Sequence, residues 1–287
     1  IKDSSKKLKI VPESVSYSDA EIRGKLLQLD KTCCIVKNSD SVGVCLKEDV
    51  DESSSRSSMS LLAQAFPMKI TQLGDPEFIN FHGLKMAYMT GSMANGISSE
   101  NLVISSGKVG LLSSFGSAGL LPSRIEQAIK KIQNALPGGP YAFNLIHSPS
   151  EDAIERATVD LYLKHSVRTV EASAFLGLTP NIVRYRVAGL RRIRQNHVEI
   201  TNRVIAKISR EEVAAKFMAP APENILKKLL KEKSITSEQA ELAASVPMAD
   251  DITVEADSGG HTDNRPLVSL LPAIIKLREQ FQERFGY

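Results

Sequence analysis

Tyr141-Ala142-Phe143-Asn144-Leu145-Ile146, followed closely by Ser148-Pro149-Ser150-Glu151, reads as one strand running into one helix. The first six residues make a short, largely apolar run of strand length, and the last four match a capping box with proline at the first helical position. A side-chain oxygen at such a box satisfies N–H groups that the first helical turn leaves unpaired. The pattern recurs on both sides. Further runs fall at 84–89, 109–115, 168–171, 203–208 and 251–255, and Ser123-Arg124-Ile125-Glu126 matches another capping box. Strand–helix alternation of this kind implies a parallel sheet with helices outside it. Six runs do not close an eight-stranded barrel and leave two sheet edges unpaired. The last segment puts Leu267, Leu270, Leu271, Ile274, Leu277, Phe281 and Phe285 on one helical face, with Gly286 at a C-cap, so the chain stops where a seventh strand is expected. The fold expected is α/β, a TIM (β/α)8 barrel lacking its last two βα units in this segment.

Two stretches interrupt the alternation. Residues 181–202 read as a hairpin excursion. Residues 211–249 read as a helical insertion, with Ile225, Leu226, Leu229 and Leu230 in one stripe and Thr236-Ser237-Glu238-Gln239 capping the next helix. Ahead of the barrel at 71–287, residues 1–70 read as a small separate unit. Apolar runs at 33–36 and 42–46 flank Asn38-Ser39-Asp40-Ser41 as in a hairpin, and the serine-rich 52–58 reads as an exposed loop. The first residue is Ile1 rather than methionine, as expected of an excised or processed segment.

Bulk properties exclude some classes. The net charge of +3 over 287 residues gives no ground for a nucleic-acid partner. No apolar run approaches the roughly 18 residues that a membrane span needs, and no signal-peptide pattern opens the chain. Cys33, Cys34 and Cys45 form no C-x-x-C pair, and an odd count argues against a disulfide framework; reduced thiols in a cytoplasmic protein are expected.

In a parallel barrel the reacting groups sit where strands end and βα loops converge. After the first run, Gly91-Ser92-Met93-Ala94 offers small residues and a glycine that allow backbone to approach a flat ligand. Asn144, toward the end of the third run, carries an amide that both donates and accepts. Lys207 lies inside a buried strand, where its charge is costly unless it meets an anion or an electron-rich ligand. The sixth run passes through Asp257-Ser258-Gly259-Gly260-His261, which places two glycines beside an imidazole able to transfer a proton near neutral pH. Other chemistries lack their motifs. Ser106-Gly107-Lys108-Val109 has neither the spacing nor the hydroxyl of a P-loop, no G-x-G-x-x-G follows a strand, and there is no G-x-S-x-G. His82, His147, His165 and His197 show no metal-ligand spacing.

Asp257 through His261 resembles the acidic-small-Gly-Gly-His motif of the nitronate monooxygenase (2-nitropropane dioxygenase-like) superfamily of FMN barrels. Gln72-Leu73-Gly74-Asp75-Pro76-Glu77-Phe78, Gly91 through Gly96, Leu178-Thr179-Pro180 with Val183-Arg184-Tyr185-Arg186, and Asp257 through Arg265 are together similar to one branch. That branch is the trans-acting enoyl reductases of polyunsaturated fatty-acid synthases and trans-acyltransferase polyketide synthases. The resemblance spans roughly residues 72–287. It implies FMN as cofactor and NADPH as reductant, with Gly91, Ser92, Met93 and Ala94 under the flavin ring and Asn144 and Lys207 on its polar edge. It also places Asp257, Ser258, Gly259 and Gly260 beside the ring, and His261 as the group that protonates the α-carbon or holds the thioester carbonyl. The implied substrate is an enoyl thioester on an acyl carrier protein of a polyketide or fatty-acid synthase, in the cytoplasm; no nucleic acid or membrane is involved, and a homodimer is allowed. Nitronate monooxygenase and a non-catalytic docking barrel are the rival functions. The glycine-rich phosphate loops that follow strands seven and eight in the superfamily have no counterpart here, and Asp257 stands where many monooxygenases carry glutamate. For an acidic carrier, Arg184, Arg186, Arg191, Arg192 and Arg194 and, in the insertion, Lys216, Lys227, Lys228, Lys231 and Lys233 are the candidate basic surfaces.

Overall fold

A computed structural model describes residues 7–39, 41–50, 58–194, 197–257 and 263–286. The chain divides into two units, Ile1–Pro76 and Glu77–Tyr287. The first is an antiparallel sheet of β1 (Lys7–Lys9), β2 (Cys33–Asn38), β3 (Ser41–Leu46) and β4 (Ser58–Ala65), in the order β1-β4-β2-β3, with helix α1 (Asp19–Leu26). β2 and β3 pair as the expected hairpin, with Asn38 opposite Ser41; Asp40 and most of the serine-rich stretch lie outside the described residues. Leu8, Ile10, Val36 and Met59 form the core, joined by Cys34 and Cys45. All three cysteines are free and buried. Burial pushes the Cys45 thiol up to about 12, so Cys45 packs as a small apolar group rather than serves as a nucleophile.

The second unit begins with α2 (Pro76–His82) and then alternates strand and helix: β5 (Met89–Thr90), α3 (Glu100–Lys108), β6 (Leu112–Phe115), α4 (Pro122–Ala135), β7 (Ala142–Ile146), α5 (Asp152–Lys164), β8 (Thr169–Ser173) and α6 (Pro180–Ala188). There follow β9 (Leu190–Arg194), β10 (His197–Ile200), β11 (Arg203–Ile208), α7 (Glu211–Met218), α8 (Glu223–Lys231), α9 (Ser237–Leu242), β12 (Asp251–Val254) and α10 (Leu267–Phe285). The six strands expected from the apolar runs form one curled parallel sheet in the order β12-β11-β8-β7-β6-β5, a half-barrel. Successive side chains of a strand point to opposite faces. Phe143 and Leu145, Val170 and Ala172, and Val204, Ala206 and Ile208 enter the core shared with the helices, beside Ile125, Ile129 and Ile132 of α4. Their neighbours Ala142 and Asn144, Glu171 and Ser173, and Ile205 and Lys207 therefore face the concave side. There Phe78 and Ile79 of α2 pack on Leu112, Ala142 and Ile205. No helix among the described residues is long and apolar enough to cross a membrane.

Several expectations shift. The first two strands are shorter than their runs. Residues 109–111 belong to the turn that ends α3, where Gly110 takes φ +84° and the Leu111 N–H donates to the Ser106 carbonyl at 2.9 Å. Helix α4 starts two residues earlier than its box, with Leu121 as N-cap and Pro122 in the first helical position. Residues 148–151 form a turn closed by Glu151 N–H to Ser148 C=O at 3.0 Å, and α5 begins after it. The box at Thr236–Gln239 forms as written. The expected hairpin at 181–202 is correct only in its second half. Ile182, Val183, Tyr185 and Val187 fit strand and helix periods alike, but Thr179 caps the chain through the Ile182 N–H and Pro180 fixes the first turn. The helix prevails because it buries all four residues against the sheet; β9 and β10 then form the hairpin. Within 211–249, α7 packs on β11 and α10 as the ordinary crossover helix, and the added elements are α8 and α9 against α6.

Arg186 is the largest fully buried side chain, not a surface cation. Its guanidinium donates to Asp250 Oδ2 at 2.7 Å, to Asn202 C=O at 3.1 Å and to Pro247 C=O at 2.9 and 3.1 Å. Asp250 Oδ2 also accepts the Val204 N–H at 2.9 Å, so one ion pair joins α6, β11 and the entry to β12. Removing one partner leaves the other charge buried and unpaired. Arg186→Met is therefore expected to lower unfolding stability by about 3–5 kcal/mol, read from urea denaturation followed by far-UV circular dichroism. A change below about 1 kcal/mol would mean that the pair carries little of the strand docking.

Candidate active site

At the C-terminal strand ends, residues 91–96 fold back on the loop after β6. Met93 N–H donates to Ser98 Oγ at 2.8 Å, Asn95 N–H to Ala118 C=O at 2.8 Å, and Gly96 N–H to Gly116 C=O at 2.8 Å. Gly116 is obligatory for this contact, since a Cβ there would lie 1.6 Å from the Met93 carbonyl oxygen. Ser92 N–H crosses to Glu171 on β8, donating to Oε2 at 2.9 Å. Glu171 is 1% exposed. Gly91, Ser92, Met93 and Ala94 are thus a fixed platform with backbone at the surface of the mouth.

The concave face beside the platform is polar. Asn144 is buried; its Nδ2 donates to Glu171 C=O at 3.2 Å and to Ser173 Oγ at 2.9 Å, while its backbone carbonyl accepts the Tyr162 hydroxyl at 2.6 Å. The amide is locked by the neighbouring strand rather than capping a helix. Lys207 meets an anion, as its burial requires, but that anion belongs to the chain: Nζ is 3.1 Å from Glu255 Oε1, and the two side chains are 16% and 18% exposed. Glu171 went unnoticed in the sequence because it closes an otherwise ordinary apolar run. The available signal was Thr169, Glu171 and Ser173 at every second position of a strand buried on both sides, which commits three polar groups to one face.

After β12 the chain passes Asp257, an exposed residue whose N–H donates to Arg265 C=O at 2.9 Å. Ser258, Gly259, Gly260 and His261 lie outside the described residues. The far side of this loop is tied down at Asp263. Its carboxylate accepts Arg210 Nε and Nη2 at 2.7 and 2.9 Å and Ser209 Oγ at 2.8 Å, all from the loop after β11. His147, directly after β7, has Nδ1 2.8 Å from Glu155 Oε2 of α5, and its ring stacks on Phe175.

The opposite end of the sheet holds a cavity of about 410 Å³, lined among others by His82, Tyr141, Arg168, Thr201 and Arg203. It lies at the N-terminal strand ends, the face that in barrels of this type serves stability rather than chemistry. Glu199, Ile200 and Thr201 line it too, which puts the β9–β10 hairpin at that end. The hairpin arginines therefore lie away from the mouth, contrary to the expected approach surface. Arg184 pairs with Asp160, and Arg192 with Glu241 at 2.8 Å.

No family model matches the chain. It is similar to a polyunsaturated fatty acid synthase protein of Thraustochytrium sp., at 46% identity over 285 residues, covering 97% of this chain and 19% of that protein. It is also similar to the polyketide biosynthesis protein PksE of Bacillus subtilis, at 46% identity over 216 residues, 75% of this chain and 28% of PksE. Among solved structures it is similar to the enoyl reductase domain of MlnA from the macrolactin biosynthesis cluster of Bacillus amyloliquefaciens, with 40% identity and a TM-score of 0.73. That match covers 76% of this chain and 49% of the solved one. The chain thus spans less than a third of either curated relative's length and about half of the solved domain.

The tether at Asp263 has a pH signature. Hydrogen bonds from Arg210, then from Ser209, hold its carboxyl at about 2 against an ordinary 3.8. A depressed carboxyl stabilises the folded loop above the ordinary value and releases it as pH falls through about 2. Carbon-detected NMR titration is expected to find Asp263 ionised at pH 3 and to find it back in the ordinary range in Arg210→Ala. An ordinary titration in the unsubstituted protein would mean that the tether is absent in solution.

Proposed function

We propose that this chain, a homologue of polyunsaturated fatty acid and polyketide synthase proteins and of the MlnA enoyl reductase domain, forms the catalytic half-barrel of an FMN-dependent enoyl reductase. The observation that carries the reading is the 40% identity and TM-score of 0.73 to an enoyl reductase domain over 76% of the chain, taken together with a polar mouth at the C-terminal strand ends. The substrate class is an enoyl thioester presented on an acyl carrier protein, in keeping with relatives that belong to synthase systems.

The residues present fit a flat, hydrogen-bonding cofactor. Gly91, Ser92 and Ala94 offer backbone with little side-chain bulk, Met93 adds an exposed apolar side chain, and the Gly116 contact fixes the Met93 carbonyl. When bound, FMN supplies the two-electron relay between NADPH and the α,β double bond. Asn144 and Lys207 would hold its polar edge, with Asp257, Ser258, Gly259 and Gly260 beside it. Glu255 changes the expected role of Lys207. An ammonium already paired with a carboxylate brings N–H donors to the ring edge but little net charge, so its contribution is orientation more than electrostatic stabilisation. His261 supplies an imidazole to the substrate, at the α-carbon or at the thioester carbonyl. Carrier docking falls to the mouth side, where Lys216 Nζ reaches the Leu176 carbonyl at 2.8 Å in the loop after β8.

The reading is tested on the intact protein. It should be yellow, be bleached by NADPH, and regain its colour on addition of a crotonyl thioester but not of a nitronate. Recolouring by the nitronate alone would select a monooxygenase, and a colourless protein with no NADPH oxidation would select a docking component. Replacement His261→Ala is expected to retain flavin and its reduction by NADPH while slowing thioester reduction by about 10²-fold. Turnover within a factor of about three of the unsubstituted enzyme would remove His261 from the reaction.

A further inference from the structure

The cavity at the N-terminal strand ends has walls of two kinds. Most of its polar side chains are already engaged within the protein. His82 meets Asp251 Oδ2 through Nε2 at 2.8 Å, the Tyr141 hydroxyl accepts Gln133 Nε2 at 3.0 Å, and Thr201 Oγ1 donates to the Gly189 carbonyl at 3.0 Å. Arg168 and Arg203 line the same space and are not engaged in this way. Arg186, Lys207 and Arg210 each meet a carboxylate, whereas neither Arg168 nor Arg203 forms an ion pair among the described residues.

The fold sets these two cations side by side. Arg168 precedes β8, Arg203 opens the neighbouring β11, and the Arg203 N–H donates to the Arg168 carbonyl at 2.7 Å. Arg203 is half-buried, and its guanidinium carbon lies 4.3 Å from the centroid of the Phe81 ring, a face contact that orients the group and leaves its N–H donors unused. Arg168 is exposed and within Coulombic reach of the cavity's phenol: burial pushes the Tyr141 hydroxyl up, against the Gln133 amide and the charge of Arg168. Two guanidiniums at adjacent strand starts repel each other, and a bound anion relieves that repulsion. The lining also includes the exposed carboxylate of Glu199, so guanidiniums outnumber carboxylates two to one.

A volume of about 410 Å³ exceeds what a lone inorganic ion fills and falls among small-molecule sites of roughly 300–1,000 Å³. Leu112, Pro140 and Ile200 give the wall an apolar part. We propose that this cavity binds a small molecule with an oxyanion head, a phosphate monoester or a carboxylate, on a short apolar body, and that Arg168 and Arg203 grip the head. A guanidinium fork matches both oxyanions in geometry and charge. The site lies at the other end of the sheet from the mouth, so its occupancy is read without cofactor or turnover.

Phenyl phosphate and benzoate are the probes, titrated calorimetrically into the unsubstituted chain. Binding of the first alone marks a phosphate-ester site, and binding of the second alone a carboxylate site. The bound probe should protect Arg168 and Arg203 from phenylglyoxal, read by peptide mass spectrometry, and leave Arg192, outside the cavity, as reactive as before. Arg168→Gln and Arg203→Gln should each weaken binding about 10-fold or more. Glu199→Gln, which removes the opposing charge, should tighten it about threefold. Should Arg203→Gln unfold through loss of its stack on Phe81, seen by circular dichroism, Arg168→Gln and Glu199→Gln still decide. Absence of binding by both probes up to about 10 mM would overturn the assignment. So would affinity unchanged in Arg168→Gln, or protection of Arg192 equal to that of the cavity pair.

Discussion

A single carboxylate sets the geometry of the mouth. Glu171 projects from β8 into the concave side of the sheet and accepts the Ser92 N–H from the far side of β6 and β7. Its own carbonyl receives the Asn144 amide. A buried carboxyl group has few ways to be satisfied, so the chain around it has few ways to fold. The platform at Gly91–Ala94, the orientation of Asn144 and the placement of Ser173 follow from meeting that requirement. The steric demand at Gly116 works in the same direction, by leaving the Met93 carbonyl one place to lie.

The architecture was readable from the sequence because burial on both faces of a parallel strand leaves a strong mark. All six apolar runs became strands of one sheet in chain order. What misled was local. Residues 181–188 carry apolar side chains that suit either period, and only tertiary burial decided for α6. The capping boxes near 123 and 148 match the right residue types, yet proline at 122 and a turn at 148–151 moved the helix starts. Around the mouth, Gly91–Ala94, Asn144 and Lys207 stand out in the sequence because each breaks an apolar pattern near a strand end. Glu171 and Glu255 were not, since a single sequence does not say which acid will meet which base across two strands. Arg186 shows the reverse error, a charge in a basic stretch that is wholly interior.

The two ends of the sheet carry different burdens. The N-terminal end is closed by Phe78 and Ile79 of α2, by the β9–β10 hairpin and by the Arg186–Asp250 pair, all of which hold strands together. The C-terminal end is built from loops tied to one another by few, specific bonds: Ser92 to Glu171, Asp263 to Arg210, His147 to Glu155. Change at the first end is felt as stability and change at the second as chemistry. The same chain can thus tolerate an added pair of helices, α8 and α9, on its outer layer without disturbing the mouth.

The brevity of the two outermost strands has a bearing on colloidal behaviour. Among the described residues β5 contributes only Met89 and Thr90, and β12 four residues from Asp251 to Val254. An edge that short exposes few free amide and carbonyl groups, and β12 adds an aspartate at its start. Each such strand has one side without a partner strand among the described residues, and so short an edge offers little backbone for another strand to pair with. Lengthening β5 by replacing the residues before Met89 with β-branched apolar ones would remove that protection and turn a benign margin into a nucleus for fibrillar self-association.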